Sequence, residues 1–425
     1  MKKIVLLLLI LLVFLVCGCG PRDVPSPTGT AAVLVEDTAS QTETTTPTEV
    51  PPTGTPTQIP PTPTDVATAT VTATATATAN PLGNYPAEGY GPLHFPKHIN
   101  PLTGLPVADS SLLDRRPIAV KISNGPRSVR PQWGLSFADH VYEYYHEGWR
   151  TRFNAIFYGQ DAPTAGPIRS ARFADEHIFR MYKSFFAYGS ADARVLWRIF
   201  DTGLGKRFAS ISDAACPPTV DFPLCRTDPN GYNHLITNTA VLSEHFTEKH
   251  VDNSRQNLDG LYFQADAPED GFIAGNSVTI RYSQGFYNRW DYDPAYGKYV
   301  RYQDVLDDST GGSGETFEAL TDKLTGEPIR ADNVVVIFAA HNAYSLNPEM
   351  WEINLISYGK AYLFRDGRAY EINWGRTGED ELIRFVNSDG NPFPLRPGNT
   401  WFQIIGTSSS LTNDGANWRF EHVTP

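Results

Sequence analysis

Between Asn124 and Arg172 the chain concentrates side chains able to bind or move charge: Arg127, Arg130, Glu143, His146, Glu147, Arg150, Arg152, Asp161, Arg169, Ser170 and Arg172. The run Arg169-Ser170-Ala171-Arg172 stands where an amphipathic stretch that reads as a helix begins. Backbone N–H groups at a helix start favour an anion, and two guanidiniums beside them can grip a phosphate or carboxylate bidentately. Arg169, Ser170 and Arg172 are therefore the candidate ligand-binding residues, with Arg130 and Arg152 adding positive field. The opposing reading pairs Arg169 and Arg172 internally with Glu143, Glu147 or Asp161, and the sequence leaves both open.

Glu143 and Glu147 invite comparison with the paired carboxylates that cleave glycans. On a strand they share a face, but four residues at about 3.3 Å each separate them by roughly 13 Å, too far for a tight pair. Salt bridges to Arg150 and Arg152 are the simpler expectation. Glu143 and Asp161 remain the catalytic candidates, as acid or base beside arginines that stabilise developing negative charge.

Other catalytic signatures are missing from the sequence. It contains no His-Glu-x-x-His, no phosphate-binding P-loop and no Gly-x-Ser-x-Gly. His234, His245 and His250 lack the spacing of a compact metal-ligand set, so no metal and no cofactor is expected. Gly311-Gly312-Ser313-Gly314 lacks the lysine of a phosphate loop and reads as a flexible connection. Among the aromatic residues, Trp290, Tyr292 and Tyr299 are candidates for stacking against sugar, although such side chains in a β-rich fold are more often core.

These residues need elements to hold them. Strands are expected over Pro117–Ser123, His140–His146, Thr151–Tyr158 and Phe185–Gly189, with helices over Ala171–Lys183 and Ala191–Phe200, an alternation that suggests an α/β unit. Farther on, Ser277–Tyr282, Gly285–Tyr292, Lys298–Tyr302, Asn333–Ala340, Lys360–Arg365, Arg368–Trp374, Leu382–Val386 and Thr400–Ile405 read as strands. Turns such as Asp366-Gly367 and Asp389-Gly390 favour antiparallel hairpins between them. The expected fold is an α/β N-terminal region, 96–250, followed by a mainly antiparallel β region, 251–425. No flexible linker divides the two, and their strands could join one sheet.

The N-terminus places this fold in the cell. Met1-Lys2-Lys3 precedes an apolar run, Ile4–Val16, and then Cys17-Gly18-Cys19, the order of a bacterial signal peptide over 1–18. About 13 apolar residues at ~1.5 Å each span roughly 20 Å, short of a hydrocarbon core of about 30 Å. Val16-Cys17-Gly18-Cys19 resembles a lipobox, in which Cys19 would become the acylated first residue; ordinary secretory cleavage is the alternative. Acyl chains of the palmitate type add about 0.8 kcal/mol of membrane affinity per buried methylene. Residues 19–95 are rich in Thr, Pro and Ala and too poor in large apolar residues to offset the entropy of ordering. They read as a disordered stalk, reaching on the order of 100 to 200 Å at ~3.1 Å per residue, with O-glycosylation permitted.

Cleavage before Cys19 removes Lys2 and Lys3 and takes the formal net charge from −12 to −14. Without a basic surface to displace counterions, nucleic acid is excluded as a partner. Apart from the acylated Cys19, only Cys216 and Cys225 then remain, and an even pair outside the cytosol is most simply a disulfide. The small loop it closes, with Pro217, Pro218 and Pro223, would contribute roughly 2 to 3 kcal/mol.

Several runs resemble one family, the bacterial YerB-type lipoproteins built from DUF3048 N-terminal and C-terminal regions. They include Asn100-Pro101-Leu102-Thr103-Gly104-Leu105, Arg130-Pro131-Gln132-Trp133-Gly134-Leu135, Ala138-Asp139-His140-Val141-Tyr142-Glu143 and Gly166-Pro167-Ile168-Arg169-Ser170-Ala171-Arg172. The resemblance continues through Trp290-Asp291-Tyr292-Asp293, Asp332-Asn333-Val334-Val335-Val336 and Pro397-Gly398-Asn399-Thr400-Trp401. Where members carry Pro-His-Asn, this chain reads Tyr232-Asn233-His234, so no role is assigned to His234. The resemblance implies a two-region envelope lipoprotein and assigns it no reaction. Three readings follow: a binding protein for an anionic envelope ligand, such as a glycan carrying phosphate or carboxylate; an enzyme acting on wall polymer; or a scaffold for envelope proteins.

Overall fold

The computed structural model describes residues 82–231 and 233–424. The expected signal peptide, the acylation site at Cys19 and the stalk up to residue 81 lie outside the described residues. The stretch 82–95, counted with the stalk on composition, is docked on the fold instead. Tyr85, Tyr90 and Phe95 give it aromatic surface to bury, and Tyr90 pairs with Phe263 through backbone hydrogen bonds of 3.0 and 2.9 Å.

In chain order the first half supplies β1 (Ile118–Ser123), β2 (His140–Tyr145), β3 (Thr151–Phe157), α1 (Phe173–Met181), β4 (Phe185–Tyr188), α2 (Ala193–Asp201), β5 (Phe208–Ser210), β6 (Leu224–Arg226), β7 (Leu235–Thr237) and α3 (Thr239–Glu248). The second half adds β8 (Phe272–Ala274), β9 (Ser277–Ser283), β10 (Phe286–Asp293), β11 (Lys298–Asp304), β12 (Phe317–Ala319), β13 (Arg330–Ala331), β14 (Asn333–Ala339) and β15 (His341–Leu346). It ends with β16 (Glu349–Ile353), β17 (Tyr358–Arg365), β18 (Arg368–Gly375), β19 (Arg384–Val386), β20 (Thr400–Gly406), β21 (Ser410–Asn413) and β22 (Asn417–Glu421). The fold is thus α/β first and mainly β afterwards. Three pairs had no counterpart in the sequence reading: β6–β7, the β15–β16 hairpin and β21–β22.

Strands from both halves join one sheet of eleven, in the order β19-β18-β17-β14-β20-β2-β3-β1-β4-β5 with β8 beside β18. Its centre is mixed: β20 runs parallel to both β14 and β2, whereas β2–β3 and β3–β1 are antiparallel. A second sheet of seven, β12-β11-β10-β9-β22-β21 with β13 beside β11, is antiparallel apart from β22 on β9.

The large sheet is covered on both sides. One face carries α1 and α2 through Ile178, Phe179, Met181, Val195 and Ile199, packed on Tyr142, Tyr144 and Ile156. The opposite face packs Val141, Phe153 and Trp401 against Ile280, Trp290 and Phe420 of the second sheet and against Phe246 of α3. Strands buried on both faces ordinarily read as continuous apolar runs. Every residue of β1, β2 and β3 is buried, yet these strands contain Lys121, Glu143, Arg152 and Asn154. Buried polar groups are the informative exceptions, since each must find partners inside the protein.

Candidate functional site

Strand alternation and register decide where these polar residues go. The pairs Lys121↔Asn154↔Tyr142 and Ser123↔Arg152↔Tyr144 put Lys121, Asn154, Tyr144 and Arg152 on the face covered by α1. The pair Glu143↔Phe153 sends Glu143 to the other face, toward the second sheet.

On the α1 face the centre is Asp175, in the first turn of the helix and fully buried. Its carboxylate accepts from Lys121 Nζ at 3.0 Å, Asn154 Nδ2 at 2.8 Å, the backbone N–H of Arg172 at 2.7 Å and the Tyr144 hydroxyl. Lys121 Nζ also donates to the Tyr144 hydroxyl. Arg172 is the N-cap residue, so the anion expected at this helix start is Asp175 of the chain itself. The Arg172 guanidinium holds both carboxylate oxygens of Glu147, with Nε at 2.6 Å from Oε2. Arg152 donates to the carbonyl of Ser170 at 2.6 Å, and Arg172 donates to the carbonyl of Ala171 at 2.8 Å. Arg169 is half-buried, its backbone bonded to Lys121 O and Gly189 N, each at 2.9 Å.

Burial, with Arg152 and Arg172 nearby, pushes the Lys121 ammonium down to about 7 despite its bond to Asp175. His146, buried and 3.0 Å from Glu147 through Nδ1, is held well below the usual histidine range by burial and then by Arg152, Arg172 and Lys121. It is neutral at physiological pH. Lys121, Arg152 and Arg172 thus stand beside Asp175, Glu147 and a neutral imidazole. The β15–β16 hairpin roofs this cluster with Met350, Trp351 and Ile353, enclosing about 10 Å3, room for about one water. Glu349 fixes the roof, accepting from the Tyr145 hydroxyl at 2.7 Å and the Gly148 N–H at 2.9 Å.

The opposite face holds a different network. Glu143 accepts from Thr151 at 2.7 Å, Arg301 at 2.8 Å, Asn124 at 3.1 Å and Asn288 at 3.2 Å. The fully buried Arg301 guanidinium lies about 5 Å from the ring centres of Trp290, Trp401 and Phe153. Arg130 belongs here as well, gripping Asp304 with two nitrogens at 3.0 and 3.1 Å beside Arg127 at 2.7 Å.

The structure therefore gathers Arg152, Ser170 and Arg172 and separates them from Arg130 and Glu143. Asp161 lies in neither network; it accepts from Arg115 at 2.7 Å and Thr239 at 2.6 Å. The expected bridges from Glu143 and Glu147 to Arg150 and Arg152 give way to Arg301 and Arg172, because Arg150 is exposed and the register turns Arg152 away from Glu143. Trp290 and Tyr299, considered for sugar stacking, are buried in the core between the sheets. Cys216 and Cys225 are disulfide-bonded. Among the described residues, no cluster of His, Cys, Asp and Glu is arranged to hold a metal ion, and no helix is long and apolar enough to cross a membrane.

Lys121, Tyr144, Asn154 and Asp175 were missing from the sequence reading of the site. A signal for Lys121 was present: it is the one charge within Ile118–Ser123, an otherwise apolar run.

Comparison with known proteins places the chain. The model described as "Protein of unknown function (DUF3048) N-terminal domain" matches residues 102–251, and its C-terminal counterpart matches 278–402. The chain belongs to the DUF3048 family. It is 30% identical over 314 residues to "Putative lipoprotein YerB" of Bacillus subtilis (strain 168), covering 72% of this chain and 85% of that protein. The crystal structure of the YerB protein from Bacillus subtilis superposes with a TM-score of 0.59 at 27% identity, covering 72% of this chain and 96% of the other. Both family-matched segments feed the large sheet, and the cationic cluster lies wholly within the first.

Proposed function

We propose that the protein is a lipoprotein anchored through Cys19 on the extracytoplasmic face of the cell membrane, and that it binds an anionic envelope ligand at the cluster around Arg152, Arg169, Ser170 and Arg172. Support for the anchor comes from the lipobox-like Val16-Cys17-Gly18-Cys19 and from the name of the Bacillus subtilis relative. Incorporation of labelled palmitate, lost in Cys19→Ala, tests it; equal labelling of the variant counts against it.

The ligand reading rests on the positive charge gathered beside Lys121 and His146. Lys121 is bonded to Asp175 and Arg172 to Glu147, and the guanidiniums of Arg152 and Arg172 press on both Lys121 and His146. A phosphate or carboxylate would offset this charge through charge-assisted hydrogen bonds. The half-exposed Arg169 and Ser170 mark the side of approach, and Glu147 acts as an internal competitor for Arg172.

Equilibrium dialysis with inorganic phosphate and poly(glycerol phosphate) provides the test. Wild type is expected to bind, and the double variant Arg169→Ala with Arg172→Ala to lose binding at a nearly unchanged melting temperature. Unfolding of the double variant would assign the arginines to architecture.

A further inference from the structure

A cleft of about 610 Å3 opens at the opposite end of β2 from the cationic cluster. That volume suits a small-molecule site. Its floor is set by topology. The parallel neighbours β2, β20 and β14 begin here, and Asp139, Asn399 and Asp332 are the residues just before them. Adjacent strands lie about 4.8 Å apart, so the three form a short row of carboxylate, amide and carboxylate.

The row is preorganised. Asp139 accepts from Asn100 Nδ2 at 2.9 Å and from the N–H groups of Tyr158 and Gly159 at 2.6 and 2.9 Å. Asn399 Oδ1 accepts from the Asp332 N–H at 3.1 Å while its Nδ2 donates to Arg330 O at 2.9 Å. Those bonds use one of the two N–H groups and one of the two lone pairs of that amide, leaving one of each for a ligand. Asp332 accepts from Lys298 at 3.0 Å and from the Asn399 N–H at 3.1 Å. Gly398, at φ +142°, lets this carboxylate lie against the turn, where any Cβ would collide with it.

At the rim, Tyr296 is 58% exposed, and the Arg330 guanidinium lies 4.1 Å from its ring centre. The cation braces the ring in one plane. Charge discriminates among ligands. Lys298 and Arg330, with Arg396 3.7 Å from Asp332, are matched by Asp139, Asp332 and Glu327, so the cleft offers an anion no surplus of positive charge. A purely apolar ligand would strand the polar row. A ligand with one weakly polar flat face and several hydroxyls satisfies both walls.

We propose that this cleft binds a neutral saccharide, with a pyranose ring stacked on Tyr296 and its hydroxyls held by Asp139, Asn399 and Asp332. The site is distinct from the anion-binding cluster and does not depend on it. It also gives a task to the runs Asn100–Leu105, Ala138-Asp139, Asp332-Asn333 and Pro397–Thr400, which border the cleft and take no part in the cationic cluster.

Saturation-transfer NMR on the folded protein, with neutral tetrasaccharides of glucose, mannose, galactose and N-acetylglucosamine as probes, tests the proposal. At least one probe is expected to receive saturation. Tyr296→Ala should weaken that binding about tenfold, the scale of one aromatic stacking contact, while Tyr296→Trp preserves it. Both variants should keep the wild-type melting temperature and phosphate affinity. No transfer to any of the four probes, or transfer undiminished in Tyr296→Ala, overturns the proposal.

Discussion

The two faces of the β1–β3–β2 unit solve the same problem in different ways. Toward the second sheet, Arg127, Arg130 and Arg301 meet Glu143, Asp304 and Asp307, three charges against three, and the Glu143 carboxylate takes four side-chain donors. Toward α1, Lys121 pairs with Asp175 and Arg172 with Glu147, and Arg152 lies close enough to depress both Lys121 and His146. A balanced network, buried at Arg130, Arg301, Glu143 and Asp304, fixes how two layers meet. Guanidiniums crowded beside a buried lysine and histidine, by contrast, carry an electrostatic cost that depresses both groups.

The sharpest way to break the comparison is Arg301→Met. It leaves Glu143 buried without its cation and should cost about 3 to 5 kcal/mol in urea unfolding, with part recovered in the double variant with Glu143→Gln. Phosphate affinity should not change; a loss of less than about 1 kcal/mol would mean the balanced face is not structural.

The next effect is a pH dependence. The Lys121 ammonium titrates near 7 in the folded chain, below its value when unfolded, so between these limits the unfolded state binds more protons and stability rises with pH. Unfolding free energies of wild type and Lys121→Met at pH 7 and pH 10 should diverge by about 2 to 4 kcal/mol in favour of wild type at the higher pH. Parallel profiles would refute the low lysine value. A control outside both networks is Cys216→Ser with Cys225→Ser, expected to cost about 2 to 3 kcal/mol without altering ligand binding. The smallest effect sharpens the comparison directly. Glu147→Gln removes the competitor for Arg172 and should tighten phosphate binding several-fold, by about 1 kcal/mol; weaker binding would show that Glu147 positions the arginine instead.

Much of the sheet was legible because its central strands are long and strongly patterned. Asn333–Ala339 and Thr400–Gly406 were found nearly to the residue. The β15–β16 hairpin was not, since its first strand is largely exposed and mixes polar with apolar residues. Of the site, Arg152, Ser170 and Arg172 were readable from their types and their place before a helix. Their partners were not, because a contact such as Glu143 to Arg301 spans 158 positions. Reading Asn124–Arg172 as one cluster assumed that charges close in sequence meet in space. The hairpin register that sets Glu143 opposite Phe153 divides them, and only pairing two strands explicitly reveals it.

The place of β20 has a consequence for the history of each molecule. His140 of β2 pairs with Thr400 of β20, 260 residues farther along the chain. While the protein is being made, β2 has β3 on one side and an open edge on the other until nearly the last strand emerges. Exposed edges recruit other chains, and pairings this distant form slowly. The yield of folded protein should therefore depend on how well that edge is shielded before Thr400–Gly406 arrives.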